Sequence, residues 1–151
     1  MTIKLLTTTA MCIILGAACS NATSSESASK DATGADAASP SVMDVTGYFD
    51  ISAPQAASLI EKTDVTVLDI RTPAEFEAGH IPGAIMVDYK SANFREQLSK
   101  LDRETPYIVH CRSGGRSGRA MSIFKELGFE NIAHMNGGYL DWSANNLPVE
   151  N

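Results

Sequence analysis

Seven consecutive residues, Cys111-Arg112-Ser113-Gly114-Gly115-Arg116-Ser117, combine a thiol with a glycine-rich, doubly basic stretch. The thiolate is the nucleophilic form of cysteine, and cationic neighbours or a helix N-terminus favour it over the thiol. Backbone N–H groups at the start of a helix have no intrahelical partner. With Gly114 and Gly115 free to curl, those after Cys111 can converge on one point. That point is an anion site with a sulfur nucleophile in its floor. The neighbouring arginines, Arg112 and Arg116, add charge, and the hydroxyls of Ser113 and Ser117 add donors.

Such a loop needs a strand before it and a helix after it. Tyr107, Ile108 and Val109 form a β-prone run, and Ala120, Ile123, Phe124 and Leu127 recur at helical spacing until Gly128. Strands are expected over 48–52, 66–70, 84–87, 107–110 and 131–135, and helices follow Ser52, over 91–101, after the loop, and after the Gly137-Gly138 turn. Ser52 reads as an N-cap with Pro54 in the first turn. Strands separated by helical segments imply a mostly parallel five-stranded α/β sheet with helices on both faces. Ligands in such sheets sit beyond the C-terminal strand ends, where Cys111 falls.

The loop resembles that of single-domain rhodaneses, the sulfurtransferases, whose CRSGxRS pattern is matched from Cys111 to Ser117. Two further stretches resemble the same family: VLDIRTPAEFEAGHIPGAI from Val67 to Ile85, and GFENIAHMNGGYLDW from Gly128 to Trp142. A cysteine phosphatase loop is related but carries its arginine six positions after the cysteine, whereas Arg116 stands five after Cys111. The tighter ring suits a persulfide sulfur better than a tetrahedral phosphate. The resemblance implies a rhodanese-like fold and sulfane-sulfur transfer from a small anionic donor such as thiosulfate, through a Cys111 persulfide. The acceptor would be cyanide, a small thiol or a thiol protein, with no metal or organic cofactor. A persulfide-carrying or protein-binding module without turnover is the alternative, and a phosphatase or arsenate reductase is a weaker one.

Asp69 and Arg71, at the end of the second strand, suggest a catalytic acid and a binding cation, but the reading adopted is a structural brace. His80 and His134 are read as structural hydrogen-bonders. His110 is expected to point away from the loop, because adjacent strand residues face opposite sides.

The 151 residues, 44% hydrophobic, allow one ordinary domain with a packed core. It is assigned to residues 42–151. Residues 1–18 read as a signal peptide: Lys4, an apolar run from Leu5 to Leu15, then Gly16-Ala17-Ala18 before Cys19. Cys19 resembles the lipidated cysteine of a bacterial lipobox, with Gly16 where that pattern prefers leucine. The expectation is a lipid-anchored protein on the periplasmic side of a bacterial membrane, with cleavage and release as the alternative. Ser20 in place of aspartate favours the outer membrane by the lipoprotein rule. Residues 19–41, rich in Ser, Ala, Thr and Asp, read as a disordered tether. With Cys12 removed and Cys19 lipidated, Cys111 is the sole free thiol expected in the mature chain. The net charge of −6 and the absence of a basic run outside the loop give no nucleic-acid signal.

Overall fold

A computed structural model describes residues 45–151. The signal peptide, Cys19 and the tether lie outside the described residues. Within them, five strands build one sheet: β1 (Gly47–Ile51), β2 (Thr66–Asp69), β3 (Ile85–Met86), β4 (Tyr107–His110) and β5 (Asn131–Met135). Five helices alternate with them: α1 (Ala53–Lys62), α2 (Pro73–Glu77), α3 (Phe94–Ser99), α4 (Gly115–Glu126) and α5 (Gly138–Ala144). The spatial order is β1-β5-β4-β2-β3 and every pairing is parallel, so β4 is the central strand and Cys111 leaves its C-terminal end.

Side-chain parity along the strands divides the core into two layers. On one face Leu68, Val109, Cys111 and Ile132 pack against Phe94 and Leu98 of α3 and Ala120 and Phe124 of α4. On the other, Val67, Ile108 and Ala133 pack against Ala53, Ala56 and Leu59 of α1 and Trp142 of α5. Strands β2 and β4, buried on both faces, are the continuous apolar runs that a covered parallel sheet requires. Helix α1 starts as the sequence implies: Ser52 and Gln55 form a capping box and Pro54 lies in the first turn.

Several boundaries differ from the sequence reading. Strand β3 is shorter, at the sheet edge, although Val87 N–H still reaches Asp69 O at 3.0 Å. The expected helix over 91–101 is helical only from Phe94, because its first residues are spent on turns back to Asp88 and Ser91. Helix α2 is not among the helices expected from the sequence. Its start is nevertheless written in the sequence, since Thr72 and Glu75 form a capping box with Pro73 in the first turn.

Candidate active site

The loop is shaped by what lies beside it. Gly114 caps α4 with φ +82°, and a Cβ there would stand 1.8 Å from Asn136 O, so only glycine fits against the β5–α5 connection. Gly115 differs, because a Cβ at that position would meet nothing within 4 Å. The curl expected of both glycines therefore rests on Gly114. From the other side, Gly138 lies with φ +62° flat against the backbone of Cys111 and Arg112. The next two residues of α5 anchor the loop: Tyr139 N–H donates to Cys111 O at 2.8 Å and Leu140 N–H to Arg112 O at 3.0 Å. Those carbonyls are turned outward, which leaves the N–H groups of the loop facing the sulfur.

Cys111 is 1% exposed. Burial by itself pushes its thiol up. The Ser117 hydroxyl and the backbone N–H groups of Ser117, Ser113 and Arg116 outweigh that and hold it below the ordinary cysteine value. The thiolate expected from the sequence is thus favoured mainly by directed hydrogen bonds. Ser117 Oγ lies 3.5 Å from Cys111 Sγ, 3.0 Å from Gly114 O and 2.9 Å from His134 Nε2. His134 Nδ1 in turn lies 2.8 Å from Asp50 Oδ1 on the adjacent strand.

Arg116 is held by Glu75 of α2 through two hydrogen bonds, Nη1 to Oε2 at 2.8 Å and Nη2 to Oε1 at 2.6 Å. The guanidinium, with help from Thr72, keeps the Glu75 carboxyl at about 2 despite some desolvation. Glu75 raises the Arg116 value in return, and the charge of Cys111 adds to that. Arg116 is a fixed wall of the site rather than a mobile arm. Arg112 and Ser113 of the loop are exposed, as is Arg119 further along α4.

Asp69 and Arg71 form a buried ion pair at the end of β2. Arg71 Nε donates to both carboxylate oxygens of Asp69, at 3.0 and 2.7 Å, its Nη2 donates to Gly79 O at 2.8 Å, and its Cζ lies 4.0 Å from the centre of the Tyr139 ring. His110 faces this brace, away from the sulfur, with Nε2 3.7 Å from Asp69 Oδ2. Burial pushes its imidazole down and keeps it neutral. His80 stacks on Phe76, ring centres 3.8 Å apart, and its Nδ1 lies 3.2 Å from Phe76 O. The sequence reading did not connect Glu75, Asp50 or His134 to Cys111. The capping box marks where Glu75 sits on its helix, whereas placing His134 and Asp50 takes the strand order.

A family model described as "Rhodanese-like domain" matches residues 52–145. Thiosulfate sulfurtransferase GlpE of Pseudoalteromonas translucida is 37% identical over 94 residues, which cover 62% of this chain and 88% of that protein. Thiosulfate sulfurtransferase 16, chloroplastic, of Arabidopsis thaliana is 40% identical over 93 residues, covering 55% and 78%. The crystal structure of a rhodanese-related protein from Thermoplasma volcanium aligns with a TM-score of 0.61 at 33% identity, covering 68% of this chain and 98% of that one.

Proposed function

The chain belongs to the rhodanese-like domain family, and on that premise we propose that it is a sulfurtransferase that carries sulfane sulfur on Cys111 by double displacement. The observation that carries the reading is the convergence of the Ser117 hydroxyl and three backbone N–H groups on one buried sulfur. In the first step the Cys111 thiolate attacks the outer sulfur of thiosulfate. The sulfur–sulfur bond of the donor breaks, sulfite leaves with the electron pair, and Cys111 holds a persulfide. In the second, an acceptor thiolate or cyanide attacks the outer sulfur of that persulfide, and the electron pair returns to Sγ. The loop donors stabilise negative charge on sulfur in both steps, as an oxyanion hole does for oxygen.

Access supports a slender donor. With Cys111 1% exposed, a reagent must present a narrow terminal atom to Sγ while its charged head stays at the rim with Arg112. Thiosulfate has that shape and charge. The reading extends to the N-terminus: residues 1–18 direct export, and Cys19 carries lipid that holds the domain at a membrane surface, facing the periplasm.

Intact mass before and after thiosulfate, then after cyanide, tests the central step. The expected result is a gain of one sulfur atom that cyanide removes and Cys111→Ser abolishes. A folded protein that gains no sulfur refutes it. Repeated turnover with a small thiol distinguishes an enzyme from a single-load carrier, and mass of the membrane-extracted protein reports the lipid.

A further inference from the structure

Four side chains, from two strands, one helix and the residue that follows β4, form a continuous contact series from the sulfur to the surface: Cys111, Ser117, His134 and Asp50. Asp50 ends it, with a side chain 64% exposed, while that of His134 is 11% exposed and Ser117 is fully buried. The ring faces Gly118 of α4, where a Cβ would meet His134 Cε1 at an ordinary contact distance of 3.6 Å.

Hydrogen counting makes this series a switch. Ser117 has one hydroxyl hydrogen and three acceptors within reach: Cys111 Sγ, Gly114 O and, when unprotonated, His134 Nε2. The Asp50 carboxylate only accepts, so in neutral His134 the ring hydrogen sits on Nδ1, toward Asp50, and Nε2 is left as a lone pair facing Ser117. That lone pair attracts the Ser117 hydrogen away from the sulfur. In the imidazolium both ring nitrogens donate. Ser117 Oγ then accepts from Nε2, and its own hydrogen is left to Gly114 O and Cys111 Sγ, of which a thiolate carries the full charge. We propose that His134, oriented by Asp50, is a positioning residue that sets the direction of the Ser117 hydroxyl hydrogen and so couples its own protonation to the charge on Cys111.

The catalytic use of this device rests on the proposed sulfur transfer. When acceptor attack breaks the bond between Sγ and the outer sulfur, the electron pair stays on Sγ, and a hydroxyl released by His134 turns to meet it. No proton changes owner; only the hydroxyl rotates. The charged and titratable groups facing the series are Asp50 on β1, Cys111 at the end of β4, and Arg116 on α4, whose charge Glu75 of α2 meets. Further along the same face, Tyr48 gives its hydroxyl to Phe129 O and Lys125 of α4 lies over its ring, so neither competes for His134.

Linkage makes the coupling reciprocal: if protonated His134 favours the thiolate, the thiolate favours protonated His134. The test is an NMR titration of the His134 ring in the full chain, with Cys111 free and with Cys111 capped by iodoacetamide. Capping removes the thiolate, so the His134 midpoint is expected to move to lower pH. Ser117→Ala should remove more than half of that movement, because the charges then couple only through space. Asp50→Ala, an exposed change that leaves the core intact, removes the acceptor facing Nδ1 and should free Nε2 to carry the hydrogen in the neutral ring, giving a different neutral tautomer in the nitrogen shifts. A His134 midpoint indifferent to capping, or a capping effect undiminished in folded Ser117→Ala, overturns the proposal. The readout needs no sulfur transfer, so its failure is distinct from failure of the sulfurtransferase reading.

Discussion

Glu75→Gln isolates the ion pair that fixes the wall of the site. Gln keeps the N3 side chain that completes the Thr72 capping box, so the start of α2 survives and only the charge opposite Arg116 is lost. The Glu75 carboxyl is held at about 2 against a usual 4.5, chiefly by hydrogen bonding from Arg116. A difference of that size corresponds to roughly 3 kcal/mol of preference for the folded ionised form at about 1.4 kcal/mol per pH unit. The pair is part-buried, with side chains 15% and 27% exposed, and the water that reaches it screens the charges and reduces the expected contribution to ~1 kcal/mol. Because the folded carboxyl is the more acidic one, this stability is fully present above about pH 5 and is lost as the pH falls toward about 2. Thermal unfolding followed by circular dichroism should show the variant melting about 4 °C below wild type at pH 7, the shift that ~1 kcal/mol gives a domain of this size. Near pH 3 the gap should shrink by more than half. Equal melting at pH 7, or a gap that does not narrow in acid, refutes the assignment of Glu75 as a charged partner of Arg116.

Three further substitutions probe the packing around the loop and the brace beside it. Gly138→Ala places a Cβ 2.5 Å from Cys111 O at φ +62°, so backbone strain and overlap should lower stability by about 2–4 kcal/mol in urea unfolding, whereas Gly115→Ala, with open space around it, should be nearly neutral. Arg71→Met strands the buried Asp69 carboxylate and should cost about 3–5 kcal/mol; loss of sulfur loading with unchanged stability would instead make Arg71 part of the chemistry.

What could be read from the sequence was whatever depends on neighbours along the chain. The run from Tyr107 to Ser117 shows strand, loop and helix in order because periodicity and turn chemistry are local, and Cys111 lies at the junction. The brace between Asp69 and Arg71 is legible for the same reason, being two residues apart at one strand end. Helix α2 is local too, but five residues show no apolar periodicity and only the capping box announces them.

Contacts that span the sheet are different in kind. Parity alone puts His134 on one of two faces, and it does not say which strand lies beside β5. Only the order β1-β5-β4 sets His134 in register with Asp50 on one side and Val109 on the other, two residues before Cys111. His134 and Cys111 then share a face, and α4 carries Ser117 across the gap between them. A histidine in a buried strand reads as a structural hydrogen-bonder from sequence, and it is one. The same two hydrogen-bonding contacts that satisfy its ring also place it one hydroxyl away from Cys111 Sγ, so its structural part and the chemical one proposed for it cannot be separated by residue type and are separable only by titration.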